Sequence, residues 1–447
     1  MDLKRYKRLR EKQMSYFKKG CLWGAASGTA LLCALASVGT AHASGFQVRE
    51  TSGTLQGSSF AGMTTLSTDA STAFYNPGTI GQYEETTYSA GGSLIVPRSK
   101  MVSGKGTASG LSTGIDLSRT DYGDMAVDAF VPNAHAVWKL TENINLGMSI
   151  TSPWGLVTDY ENDFAGRYFG TTSAIKSINL KPVLAYRFDN GLSIGMGPQI
   201  QYFEARFDKA VARATGVEGN SSVRGDDTAM GWQAGLNWQV LPETRIGLAY
   251  NSSIKHTLKG KIDFDSAAEG LSYVDRDVTA KVETPEAIAF GISQKFGEKW
   301  TVMADAQWTN WNSIDTLTFN FSGDTNTAIA GNQNSSSDTF KWGTGWFYSL
   351  GAQYQYDENW RFSGGFAFDE TPVTDLHRSV RLPDSNRYWT SLGASYKAAD
   401  WAEVSLGYTH IFAHTADVNL SSTSVGSFSG KYESEVDIIA LQAKFKF

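Results

Sequence analysis

Leu192-Ser193-Ile194-Gly195-Met196-Gly197-Pro198-Gln199-Ile200-Gln201-Tyr202 alternates large apolar residues with Ser, Gly and Gln, Pro198 excepted. Successive side chains of a strand point to opposite faces, so this segment has one apolar face and one small, polar face. Trp232 to Gln239, Arg245 to Asn251 and Tyr348 to Tyr356 repeat the pattern. An apolar face suits lipid, and a face of Gly, Ser and Gln suits a lumen. A soluble sandwich would crowd charges onto the second face instead.

Working outward, fourteen such segments are read: 88–96, 129–140, 144–152, 176–188, 191–205, 229–240, 243–253, 286–296, 299–308, 346–356, 359–368, 388–396, 401–410 and 437–447. Asp189-Asn190-Gly191 and Asp357-Glu358-Asn359 are among the tight turns that alternate with longer connections. Short turns alternating with long loops predict an all-β fold, a transmembrane antiparallel β-barrel. Both termini then lie on the short-turn, periplasmic side. The last residues, Ile439, Leu441, Ala443, Phe445 and Phe447, form one apolar face ending in an aromatic, which suits recognition by the barrel assembly machinery.

Composition agrees. Of 447 residues, 45 are Gly, 13% are aromatic and 19% charged, which excludes a disordered chain. Basic residues number 39 against 45 acidic ones, so nucleic acid is not an expected partner. The one long apolar run, Cys21 to Val38, follows a Lys/Arg-rich stretch and precedes Ala41-His42-Ala43. This order reads as a secretory signal peptide over 1–43. Both cysteines leave with it, so the exported chain has no thiol for a disulfide or a nucleophile. Residues 44–87 lack sustained alternation and precede the first strand. They are read as a hatch that plugs the barrel formed by 88–447, since fourteen strands enclose more space than their own side chains fill.

The chain resembles the FadL family of outer-membrane transporters for long-chain fatty acids and other hydrophobic compounds. The resemblance rests on Ser44-Gly45-Phe46-Gln47, on Phe74-Tyr75-Asn76-Pro77-Gly78, and on Ser152-Pro153-Trp154-Gly155-Leu156 followed by Phe164-Ala165-Gly166-Arg167-Tyr168. It rests further on Phe368-Asp369-Glu370-Thr371-Pro372-Val373 and Pro383-Asp384-Ser385-Asn386-Arg387-Tyr388-Trp389. Gly78 departs from the family's Asn-Pro-Ala hatch motif. The resemblance implies passive, ligand-gated diffusion across the outer membrane of a Gram-negative bacterium, with lateral exit through the barrel wall. It implies Phe74, Asn76, Pro77 and Gly78 as the gate, Gly147, Ser152 and Pro153 as the lateral opening, and Arg206, Lys209 and Lys341 as cations for a ligand carboxylate.

The runner-up readings are an aromatic-hydrocarbon channel of the same family and an open general porin. No Ser/His/Asp arrangement stands out by spacing, so the expectation is a non-enzyme without cofactor or metal. His410 and His414 have no acidic or cysteine cluster beside them and are read as loop histidines. Trp138, Trp300, Trp308, Trp360, Trp389 and Trp401 are read as an interfacial girdle. Outer-membrane lipid and lipopolysaccharide are expected partners, beside the hydrophobic ligand.

Overall fold

The computed structural model describes residues 45–118, 123–214, 217–265, 275–322 and 334–447. The leader over 1–43 and Ser44 lie outside them. Fourteen strands form the wall: β1 (Thr87–Thr107), β2 (Ala129–Lys139), β3 (Ile144–Thr151), β4 (Thr172–Arg187), β5 (Leu192–Ala214), β6 (Val217–Leu241) and β7 (Thr244–Asn251). The circuit continues with β8 (Ala287–Phe296), β9 (Trp300–Thr309), β10 (Gly345–Gln355), β11 (Trp360–Asp369), β12 (Arg387–Ala399), β13 (Ala402–Ala413) and β14 (Gly426–Lys446). Each pairs antiparallel with the next, and β14 returns to β1 from Thr87↔Lys446 to Thr107↔Ser427. Closure leaves no sheet edge to be hydrated, which is what lets strands cross a bilayer.

The period-two reading fixes which side chain meets lipid. Ile194 and Met196 are exposed while Ser193 is buried; Ile439 and Leu441 are exposed while Ile438 and Ala440 are buried. Trp300, Trp360 and Trp401 are exposed, each beside another ring, namely Tyr354, Tyr396 and Phe445. Trp389 does not join this girdle. It has the inward parity and packs edge-on between Phe60 and Phe347.

The long connections hold more order than their sequence suggests. β5 and β6 stay paired to Ala214↔Val217, so one expected loop is a two-stranded extension of the wall. Strands Ile254–Phe264, Arg276–Thr284, Thr316–Phe321 and Ser335–Thr339 add to it in turn and build a sheet above the lipid-facing belt.

Residues 45–82 are almost entirely buried within the ring. They form two single-turn helices, Gly53–Gln56 and Thr72–Tyr75, and a 3₁₀ turn, Pro77–Gln82. Barrel glycines let this irregular backbone approach the wall. A Cβ at Gly365 would overlap the Ser58 carbonyl, one at Gly247 the Thr64 carbonyl, and one at Gly195 the Pro77 carbonyl. Polar wall residues satisfy the segment's backbone. Asp305 accepts from the Gly62 and Thr64 amides, and Asn237 donates to the Thr64 and Thr65 carbonyls. The small inner face thus serves contact with the N-terminal segment as well as a lumen.

Candidate functional site

An apolar cavity lies between the N-terminal segment and the sheet above the belt. Phe46 packs edge-on against Trp154 at 5.7 Å and Trp311 at 5.0 Å between ring centroids. Phe203, Phe207 and Phe340 add further aromatic lining. Their inward direction follows from alternation along β5, where Phe203, Ala205 and Phe207 share one face.

Arg381 brings a charge to this apolar lining. Its guanidinium lies 5.0 Å from the Phe207 ring centroid, donates to Ser173 Oγ at 3.3 Å and pairs with Asp338 at 3.2 Å. Lys209 acts on the same group of charges: Asp338 attracts its ammonium and Arg381 repels it. Arg381 lines this end of the cavity, with Asp338 as its ion-pair partner. His256 stacks on Phe203 and sits 3.3 Å from Asp227. Burial holds its imidazole below the ordinary histidine value, with the Asp227 carboxylate opposing.

The three expected cations do not converge. Arg206 lies on the opposite face of β5 from Phe203 and Phe207 and forms an ion pair with Asp208 at 2.6 Å. Lys341 is exposed, while its neighbours Phe340 and Trp342 line the cavity. Arg381 was not singled out in the sequence. It lies between Pro372 and Pro383, where no alternation assigns a side-chain direction.

The wall is interrupted beside β3. β2 pairs with β1 as far as Ile95↔Ala129, but with β3 only as far as Ala134↔Ile150. Past Thr151 the chain leaves β2 and turns to the N-terminal segment: Val48 donates to the Pro153 carbonyl at 2.8 Å and Gly155 to the Phe46 carbonyl at 2.9 Å. Ser152 Oγ donates to the Ser177 carbonyl at 2.7 Å. Pro153 has no N–H to offer β2, which suits the departure. Both side-chain polar atoms of Asn133, on the abandoned stretch of β2, are buried without a partner.

Gly147 is not at this break. It faces Ile80, lower on β3. The turn at Asn76-Pro77-Gly78 also packs elsewhere, against β5 and β6. Asn76 Nδ2 donates to the Leu236 carbonyl at 2.8 Å, and a Cβ at Gly78 would lie 2.6 Å from the Leu236 carbonyl carbon. The alanine of the hatch motif has no room there, which accounts for Gly78. Phe74 lines a second cavity, which Pro153 and Trp154 also line.

Residues 34–447 match the family model described as outer membrane protein transport protein (OMPP1/FadL/TodX). The chain belongs to this family. Family membership and the closed barrel place it in the outer membrane of a Gram-negative bacterium. The long-chain fatty acid transport protein of Escherichia coli (strain K12) is 28% identical over 433 residues, covering 88% of this chain and 93% of its own. A Pseudomonas aeruginosa FadL homologue of known structure aligns with a TM-score of 0.82 at 21% identity, over 90% of this chain and 100% of its own. The Ralstonia pickettii toluene transporter TbuX gives 0.64 at 19% identity, over 90% and 99%. These two likenesses concern the fold.

Proposed function

We propose that the protein carries hydrophobic molecules, long-chain carboxylates foremost, across the outer membrane by passive diffusion and releases them sideways through its wall. The observation that carries this is an apolar cavity with Arg381 in its lining, set close to a break in the β2–β3 ladder. An apolar tube with a cation at its head fits a carboxylate with a long acyl chain. Residues 45–82 act as the hatch, and Ser152-Pro153 border the exit. Asn76, Pro77 and Gly78 hold the hatch against the wall away from the gap, and Phe74 lines the cavity beside it. The chain acts as a channel and not as an enzyme.

Release to lipid is favoured physically. Exposing an acyl chain to water costs about 0.8 kcal/mol per CH₂, and exit into the bilayer avoids that cost. Outward-facing Arg206 and Arg224, at the rim above the lipid belt, suit lipopolysaccharide phosphates, and Phe447 suits the assembly machinery. The aromatic walls favour a second reading, aromatic hydrocarbons, which make no use of the Arg381 charge. An open porin fits poorly with a lumen occupied by residues 45–82.

The test is a reversible tether. Gln47 and Trp154 face each other across an isolated antiparallel bridge. In the Gln47→Cys, Trp154→Cys variant, oleate uptake by intact cells is expected to stop when the disulfide forms and to return with reductant. Normal uptake with the cross-link confirmed would exclude passage between the hatch and the kinked chain.

A further inference from the structure

We propose that Lys181 forms a second, internal binding station for a monoanionic head group, separate from the cavity headed by Arg381. This rests on the transport reading above and adds a site to it. Lys181 lies on β4, and its side chain points into the barrel with only 3% of the residue exposed. Its ammonium donates to Asn251 Oδ1 at 2.8 Å and to the Phe74 carbonyl at 3.2 Å, and lies 3.9 Å from the Phe74 ring centroid. All three partners are neutral. An ammonium has three N–H donors, so one remains for a further acceptor.

What is missing is a counter-ion. Among the described residues no acid pairs with Lys181. Elsewhere in the lumen Arg49 is 3.8 Å from Asp369, Lys444 is 2.9 Å from Glu403, and Arg387 pairs with Asp384. Burying a charge without a partner is expensive, and buried charges are normally paired. An anionic guest would complete this one.

There is room for such a guest. Lys181 lines the second cavity together with the amides of Asn179, Gln199 and Gln201. Phe74, Trp154 and Ile254 supply apolar wall, and Pro153 puts the chamber beside the break in the ladder. Phe46 borders the first cavity and Trp154 the second, and their rings touch edge-on. That ring pair is the partition between the two cavities, and a carboxylate that passes it from Arg381 reaches Lys181 beside the break in the ladder. Arg49 also lines this cavity but is paired with Asp369, so Lys181 is the lining cation left with one charge to match, and the ligand class is a monocarboxylate with an apolar tail. A neutral alcohol or a hydrocarbon gains nothing from Lys181.

A purely structural role, holding Phe74 through its carbonyl, is separated by Lys181→Gln, which keeps a donor and removes the charge. Full-length protein in mild detergent is titrated calorimetrically with oleate and with oleyl alcohol, its fold checked by heat-modifiable mobility. Wild type is expected to bind two oleates per barrel, and Lys181→Gln and Arg381→Met one each. Lys181→Gln should leave oleyl alcohol binding unchanged and slow oleate uptake about tenfold or more, and Lys181→Arg should restore it. One oleate in wild type, or two in Lys181→Gln, would overturn the station while the transport reading stands. No oleate at all would overturn both. Independently of any variant, wild-type crystals soaked in 2-bromohexadecanoate should show anomalous bromine scattering beside Lys181. An empty second cavity under those conditions would also overturn the station.

Discussion

The Gly45 amide donates to a carboxylate oxygen of Asp384 at 3.0 Å. The same side chain accepts from Thr371 Oγ1 at 2.6 Å and pairs with Arg387. The start of the N-terminal segment is thereby fixed to the loop that carries Arg381.

Asp384→Ala removes that anchor and leaves the Arg387 guanidinium buried without this partner. Breaking a buried pair from one side costs roughly 3–5 kcal/mol. The expected outcome is a lower unfolding temperature by heat-modifiable mobility, with raised conductance in planar bilayers. Conductance equal to wild type would show that Gly45 is held by other contacts.

Arg381→Met is expected to weaken oleate by roughly tenfold to a hundredfold, the 1.5–3 kcal/mol of a charged hydrogen bond, with oleyl alcohol unaffected. Lys341→Ala and Arg206→Ala should leave oleate affinity within about twofold, since an exposed charge contributes little. Titration of the three variants with both ligands checks the assignment, and a loss confined to Lys341→Ala would reverse it.

Adjacent glycines on β11 offer a test of the inner face. Gly365→Ala drives a Cβ into the Ser58 carbonyl and is expected to cost about 1–3 kcal/mol by overpacking. At Gly364 the nearest atom to a new Cβ is 3.7 Å away, so Gly364→Ala should fall within about 0.5 kcal/mol of wild type. Equal urea midpoints for the two would show that the segment yields to the wall.

Cysteine at Asn190 or Glu358, on short turns, should label only from the periplasm. At Leu376, 81% exposed on a long connection, it should label on intact cells with a membrane-impermeant maleimide. Surface labelling at Asn190 would invert the barrel.

All fourteen wall strands were legible because period two is imposed locally: lipid on one side of each residue pair, lumen on the other. Trp389 was misread by residue type, although its parity beside outward-facing Tyr388 gave its direction. The strand Ser335–Thr339 was not legible, since five polar residues become a strand only through a neighbour supplied by the fold. At the site, Lys341 is the residue the sequence marks, but it sits past the strand with a φ of +45°, exposed, while Phe340 and Trp342 on either side line the cavity. Arg381 lies in an aperiodic loop, and its direction depends on Asp338 and Phe207, distant in sequence. Lys181 was passed over because a lysine inside a strand carries no sign of whether an acid will face it.

The contact between Gln442 and the N-terminal segment bears on the order of assembly. Gln442 lies on β14, accepts from the Gly53 amide and donates to Asp69 Oδ1 at 2.7 Å. The segment precedes the first wall strand, yet this support comes from the last. During biogenesis it waits through the synthesis of the whole wall without its Gln442 partner. Its hydrogen bonds to Gln442 form only when the last strand joins the wall. The last strand is therefore both the zipper of the cylinder and the checkpoint for its contents. A barrel that closed early would be sealed but hollow.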